Sequence, residues 1–150
     1  MLLHVTETRL MAASVGDSRA VLASKTAPGF PELEKNPEDS PVKKFKRKIP
    51  TGALAALPVT VDQKPNHAEE MDRIHQCGGV VSRLTDEQGN RIGPYRIWRK
   101  GGNMPGLAMS RSIGDKIASQ LGVIPTPIVQ EFDYAPGQDQ FLVMASDGVW

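Results

Sequence analysis

Short apolar runs, each about the length of a β-strand, constrain the fold of this chain more than any other feature. Residues of the turn-forming types separate them, and such runs are typical of strands in a sheet. The clearest of these runs are residues 9–15, 19–24, 80–84 and 141–146. Gly16-Asp17-Ser18 separates the first two, which predicts a β-hairpin over residues 9–24. The last run predicts a buried strand.

One segment has a helical pattern instead. Asn66 suits a helix N-cap, and Glu69 three residues later completes a capping box. Apolar side chains then recur every third residue as far as Ile74, which predicts one buried stripe. Gly78-Gly79 ends the helix. Together with the strands, this predicts an α+β domain with mostly antiparallel sheets and helices packed against them.

Residues 25–57 differ in composition from the rest of the chain. Prolines, glycines and charges mix there, and residues 43–48 form a basic run. This composition predicts a disordered insertion or surface loop. The basic run is interpreted as a solvated loop. The alternative is a functional segment, for nuclear import or for contact with an anionic partner.

The overall composition excludes several classes of protein. The chain has 150 residues, a net charge of +1 and a single cysteine. The small net charge gives no reason to expect a nucleic acid partner, and one cysteine cannot form an internal disulfide. No apolar stretch approaches the length of a membrane span, and the N-terminus has no signal-peptide pattern. We expect an intracellular protein of the cytoplasm or nucleus.

Four segments, in this order, resemble the metal-dependent serine/threonine protein phosphatases of type 2C, the PPM family. The sequence around Trp98 and residues 104–106 is most similar to that of plant and protist members. The four segments are residues 15–22, residues 57–65 with the helix and strand that follow, residues 104–115 and residues 141–150. The whole chain is therefore interpreted as a fragment of one phosphatase domain.

The resemblance implies a four-layer αββα sandwich with two central antiparallel sheets. It also implies an active site in which two Mg²⁺ or Mn²⁺ ions activate a water that attacks phosphoserine or phosphothreonine. The expected partners are phosphoprotein substrates, and a monomer is expected. Two hard divalent ions suit this chemistry because they activate water and neutralise phosphoryl charge.

Two aspartates are the candidate metal ligands. Asp147 directly follows an apolar strand, and Gly148 lets the chain turn after it. The resemblance implies that Asp147 binds the metal pair and that Asp17 helps to bind a further, weaker ion. The alternatives are an aspartate that caps a turn for Asp147 and a simple hairpin turn for Asp17.

Two further groups of residues were singled out by the same resemblance. The motif of Ser110, Arg111, Gly114 and Asp115 is interpreted as structural, with an Arg111–Asp115 ion pair that fixes the loop; phosphate binding by Arg111 is the alternative. The segment at residues 93–106 is a candidate for substrate contact, with an ordinary exposed loop as the alternative. Its candidate residues are Arg96, Trp98, Arg99 and Lys100.

Several parts that the resemblance implies do not occur in this sequence. They are the glutamate–aspartate ligand pair, the general-acid histidine and the phosphate-binding arginine near the N-terminus, and a further aspartate ligand near the C-terminus. We therefore expect a chain truncated at both ends that contains no catalytic side chain, binds metal weakly and does not turn over alone. The alternative is a non-catalytic, phosphatase-like binding or regulatory module.

Overall fold

The computed structural model describes residues 1–26, 42–45 and 50–150. They form two compact units along the chain. The first unit contains Met1–Ser14, Ser18–Val61 and Pro127–Trp150, and the second contains Val15–Asp17 and Asp62–Thr126. Neither helix in the described residues is long and apolar enough to cross a membrane.

The elements alternate between the two units in chain order. The first unit begins with β1 (Leu2–Val5), β2 (Arg9–Ser14), β3 (Arg19–Thr26), β4 (Val42–Phe45) and β5 (Pro50–Pro58). The second unit contains α1 (Ala68–Gln76), β6 (Gly79–Thr85), β7 (Arg91–Arg99), β8 (Pro105–Leu107) and α2 (Lys116–Ser119). The first unit is completed by β9 (Ile128–Asp133) and β10 (Asp139–Ala145).

Two sheets make up the first unit. One has the strand order β1-β2-β9-β4 and the other has the order β10-β3-β5. The paired strands are antiparallel, except that β4 runs parallel to β9. This agrees with the predicted α+β class and its mostly antiparallel strands.

The core of the first unit is formed by residues from both of its sheets. β2 contributes Leu10 and Ala12, which alternate with more exposed neighbours as one face of a strand requires. β9 contributes Phe132, and β3 contributes Ala20 and Leu22. Because these strands bury alternate residues in one cluster, the apolar periodicity of the sequence positions both sheets.

The predicted hairpin over residues 9–24 is wrong. β2 pairs with β1 and β9, whereas β3 pairs with β5 and β10. The two strands follow each other in the sequence but belong to different sheets. The physical reason is burial: β2 and β3 contribute apolar residues to one shared cluster from two different sheets, as facing sheets do when their inner side chains interdigitate.

Part of the segment predicted as a disordered insertion forms strands. β4 pairs with β9, where Val42 is opposite Val129, and β5 pairs with β3, where Leu57 is opposite Leu22. Strand pairing satisfies backbone donors and acceptors at the sheet edges, which favours strands despite the composition. Residues 27–41 and 46–49, with the second half of the basic run, lie outside the described residues.

The last apolar run forms a strand, β10, but it is not the buried strand that the sequence predicts. Phe141 is 56% exposed and Met144 is 48% exposed, while Leu142 packs against the core cluster. β10 is the end strand of its sheet and pairs with β3 alone. A strand in that position is covered less completely than a central one.

The second unit consists of the sheet β6-β7-β8 together with α1 and α2. Ile74 of α1 and Ile97 of β7 are fully buried in its core. Ala118 of α2 and the following Leu121 and Val123 complete the cluster. Of the predicted buried stripe, only Ile74 is buried: Ala68 is exposed and Met71 is half-buried, and the other buried residue of α1 is Glu70.

The predicted capping box at the start of α1 is wrong. The N-cap is His67 rather than Asn66, and no side chain caps the helix. Glu69 and Glu70 lie in the first turn, where negative charge interacts favourably with the helix dipole. The end of the helix is as predicted, because Gly78 follows it with a φ of +78°.

Gly79 is the position in this core where a side chain fits least. A Cβ there would lie 2.6 Å from Ile74 Cγ2 and 3.1 Å from the Leu121 carbonyl oxygen. We predict that Gly79→Ala lowers the free energy of unfolding by about 1–3 kcal/mol through overpacking, as measured by urea denaturation. Gly102→Ala is the control, since its Cβ would meet its nearest neighbour at 3.6 Å. Equal effects of the two substitutions would contradict this description of the core.

Candidate functional site

The backbone before Asp17 is held by a reciprocal pair of hydrogen bonds. The Gly16 N–H donates to Gln63 Oε1 at 2.5 Å, and the Gln63 N–H donates to the Gly16 carbonyl at 3.1 Å. Gln63 is only 1% exposed, and its carbonyl accepts from the Ser110 N–H at 2.8 Å. Gly16 has a φ of +98°, which a residue with a side chain rarely adopts.

This arrangement places the Asp17 carboxylate beside a lysine. Lys64 Nζ lies 2.5 Å from Asp17 Oδ2 and 4.0 Å from Asp62 Oδ2. The side chain of Asp17 is 15% exposed, that of Asp62 is 17% exposed and that of Lys64 is 33% exposed. Two partly buried carboxylates therefore face one ammonium group within the second unit.

Asp147 lies in the turn that follows β10, in the first unit. It is exposed, and the Val149 N–H donates to the Ser146 carbonyl across this turn at 3.1 Å. Trp150 Nε1 donates to the Ala145 carbonyl at 3.1 Å. Ala145 is opposite Arg19 in the β10–β3 pair, and the Arg19 guanidinium carbon lies 5.5 Å from the centre of the Trp150 ring. These contacts hold the backbone on both sides of Asp147.

The predicted metal ligands are thus found in different units. Asp17 belongs to the second unit and Asp147 with Gly148 to the first. Among residues 1–26, 42–45 and 50–150, no group of three or more histidine, cysteine, aspartate or glutamate side chains could hold a metal ion. The assignment of Asp147, Asp17 and Gly148 to metal binding stays a prediction.

A buried glutamate joins the helix α1 to the loop that follows β8. Glu70 accepts from Arg73 Nη2 at 2.7 Å and from Arg111 Nη2 at 2.6 Å. Its side chain is 5% exposed. Arg73 also donates to the Ser110 and Gly122 carbonyls, and Arg111 also donates to the Thr126 carbonyl. One carboxylate therefore ties together three segments of the second unit.

These contacts keep Glu70 ionised. Burial raises the pKa of the Glu70 carboxyl, but hydrogen bonds from Arg73 and Arg111 outweigh burial and lower its pKa from 4.5 to about 2. The sequence patterns do not predict a buried position for Glu70. Its position four residues before Ile74 places it on the buried face of α1, and that spacing was the available signal.

The predicted ion pair between Arg111 and Asp115 is replaced by the pair between Arg111 and Glu70. Asp115 instead caps α2, where its Oδ1 accepts from the Ala118 N–H at 3.1 Å. Gly114, just before this cap, has a φ of +85°. Ser110 is buried, and its backbone N–H and carbonyl are both hydrogen-bonded. These four residues hold the loop in place, and Arg111 does so with a different partner from the one predicted.

The four residues predicted to contact substrate differ in their exposure and hydrogen bonds. Arg96 Nη1 donates to the Gly106 carbonyl at 2.6 Å, and Trp98 Nε1 donates to the Ser82 carbonyl at 3.2 Å. Arg99 is exposed and donates to Gln120 Oε1 at 3.3 Å, and Lys100 is exposed. Arg96 and Trp98 therefore join the strands of their sheet, whereas Arg99 and Lys100 present charge to solvent.

Comparison with known proteins identifies the family of this chain. The sequence profile of the family described as Protein phosphatase 2C matches residues 1–150. "Probable protein phosphatase 2C 48" of Oryza sativa subsp. japonica is 42% identical over 142 residues, which cover 94% of this chain and 33% of that protein. "Probable protein phosphatase 2C 73" of Arabidopsis thaliana is 36% identical over 138 residues, covering 92% of this chain and 30% of that protein.

The fold is also that of a solved phosphatase. A crystal structure of serine-threonine phosphatase 2C from Toxoplasma gondii matches with a TM-score of 0.70 and 22% identity, covering 99% of this chain and 40% of that one. The chain belongs to the protein phosphatase 2C family, as the four segments predict. It spans about one third of the length of the curated relatives it matches.

The lowered pKa of Glu70 leads to a prediction about stability and pH. Its ion pairs stabilise the fold fully above about pH 4.5, and this contribution is lost as the pH falls towards 2. Glu70→Gln leaves two arginines without their buried partner, so we expect it to cost about 3 kcal/mol at pH 7. The difference from the unsubstituted protein should narrow between pH 4.5 and 2, as measured by urea denaturation.

Glu69→Gln provides the matched control for that measurement. Glu69 is the exposed neighbour in the same helical turn, and its substitution should change the free energy of unfolding by less than about 0.5 kcal/mol. If the two variants lose equal stability, the Glu70 network does not stabilise the second unit.

Proposed function

We propose that this chain is part of a protein serine/threonine phosphatase that removes phosphate from phosphoserine and phosphothreonine with Mg²⁺ or Mn²⁺ as cofactor. The observation that carries the proposal is the family match along all 150 residues, which includes the segments around Asp17 and Asp147. The expected substrates are phosphoproteins.

The donor groups of the chain fit hard divalent ions. Such ions prefer carboxylate oxygens, which Asp147 and Asp17 supply. Asp17 already attracts a cation, because the Lys64 ammonium lies 2.5 Å from its Oδ2. We assign Asp147, with the adjacent Gly148 in its turn, and Asp17 as residues that hold metal in the complete phosphatase. Bound divalent ions would lower the pKa of a coordinated water and neutralise the charge of the phosphoryl oxygens.

The remaining contributions of this chain are positioning and charge. The β10–β3 pairing fixes the backbone that leads to Asp147, and the Gly16–Gln63 hydrogen bonds fix the backbone that leads to Asp17. Arg99 and Lys100 are exposed, so we propose that they attract phosphorylated or acidic segments of a substrate. Arg111 is assigned a positioning role because its guanidinium is paired with the buried Glu70 carboxylate.

The proposal predicts a metal-dependent activity that requires Asp147. The full-length protein should hydrolyse a phosphothreonine peptide in the presence of Mn²⁺. Asp147→Asn should lower kcat/KM by about 100-fold or more, because it removes a charged metal ligand. The measurement is phosphate release at increasing Mn²⁺ concentration.

Asp133→Asn is the matched control, since Asp133 is an exposed aspartate at the end of another strand of the first unit. It should retain the activity of the unsubstituted protein. The 150-residue chain alone should bind Mn²⁺ weakly and release no phosphate, because two carboxylates do not satisfy ions that each prefer about six oxygen ligands. Phosphopeptide binding without hydrolysis by the full-length protein would support a non-catalytic, phosphatase-like module instead.

A further inference from the structure

We propose that Lys64 is a built-in competitor for metal at Asp17. Its ammonium group occupies the cation position beside the carboxylates of Asp17 and Asp62, and it thereby sets how weakly a divalent ion binds there. The inference rests on the proposed function, because it concerns the occupancy of one of the carboxylates assigned to metal. It adds a residue that controls this occupancy without being a ligand.

The Lys64 ammonium changes the charge that a divalent ion meets at Asp17. The Lys64 ammonium lies 2.5 Å from Asp17 Oδ2 and 4.0 Å from Asp62 Oδ2. Lys64 adds one positive charge directly beside the Asp17 carboxylate. A divalent cation that approaches Asp17 therefore meets a like charge at contact distance and must displace it.

The backbone on either side of Lys64 is anchored, whereas the lysine side chain can move away from Asp17. Gln63 and Pro65, its two neighbours, are both buried. The Lys64 N–H donates to the Asp62 carbonyl at 3.2 Å, and the Lys64 carbonyl accepts from the His67 N–H at 3.2 Å. The lysine side chain is 33% exposed, so its flexible four-carbon stem has solvent to move into.

The backbone that carries Asp17 does not depend on Lys64 for its position. The Gly16–Gln63 hydrogen bonds already fix the backbone before Asp17. Removing the ammonium group therefore leaves the backbone before Asp17 in place and removes the positive charge beside its carboxylate. Such a carboxylate binds a divalent ion more tightly, because the ion no longer competes with a resident cation.

The experiment compares Mn²⁺ binding by the full-length protein and its Lys64→Gln variant in isothermal titrations with Mn²⁺ alone. We expect Lys64→Gln to tighten the weakest Mn²⁺ binding step by about tenfold, a typical effect of one close charge pair. Thermal unfolding gives a second readout, because the variant should gain a larger increase in Tm from the same Mn²⁺ concentration. Lys64→Arg keeps the charge and should stay within about twofold of the unsubstituted protein.

Two further variants distinguish competition from a general effect of charge. Lys116→Gln makes the same charge change at an exposed lysine of the second unit and should leave Mn²⁺ affinity unchanged. Asp17→Asn combined with Lys64→Gln should abolish the gain. Unchanged or weaker Mn²⁺ binding by the Lys64→Gln variant would overturn the inference about Lys64. If the unsubstituted protein still hydrolyses phosphopeptide in that case, the phosphatase proposal stands. An unsubstituted protein that neither binds Mn²⁺ nor hydrolyses phosphopeptide would overturn both.

Discussion

The carboxylate of Glu70 is the interaction on which the second unit depends. It is almost fully buried between Arg73 and Arg111, and a buried charge is tolerated only when it is paired and hydrogen-bonded. Both arginines also donate to backbone carbonyls, Arg73 to those of Ser110 and Gly122 and Arg111 to that of Thr126. The charge of one helical residue therefore determines the path of the loops on either side of α2.

The same network continues towards Asp17 through backbone groups. Arg73 donates to the Ser110 carbonyl, and the Ser110 N–H donates to the Gln63 carbonyl. The Gln63 side chain then accepts from the Gly16 N–H, next to Asp17. Each step is a hydrogen bond between buried or partly buried groups, which are costly to leave unsatisfied. The sequence Val15-Gly16-Asp17 is thus held by contacts with residues far along the chain.

Local patterns in the sequence predicted several of the strands and the helix α1, because burial on one face requires periodic apolar residues. The strands at residues 9–14, 19–26 and 79–85 and the helix that ends before Gly78 follow this rule. Strand partners could not be predicted in the same way. Gly16-Asp17-Ser18 has the chemistry of a hairpin turn, yet β2 and β3 join different sheets, because pairing is decided by contacts with distant strands such as β9 and β10.

In the candidate site too, the sequence predicts some features and not others. The motif segments located Asp17, Arg111 and Asp147, since the resemblance concerns residue types at fixed spacings. The partners of these residues were not predictable from spacing. Arg111 pairs with Glu70, 41 residues away, rather than with the nearby Asp115. Nothing in the sequence places Lys64 beside Asp17, 47 residues away; only the folded second unit does.

The central claim is that the carboxylates of Asp147 and Asp17 bind divalent metal in a phosphatase. A crystal structure of the full-length protein grown with Mn²⁺, with anomalous scattering recorded at the manganese edge, tests it most directly. The account predicts anomalous peaks about 2–2.5 Å from a carboxylate oxygen of Asp147 and, at higher Mn²⁺ concentration, of Asp17. Density that shows Asp147 fully hydrated, with manganese bound elsewhere, would contradict it.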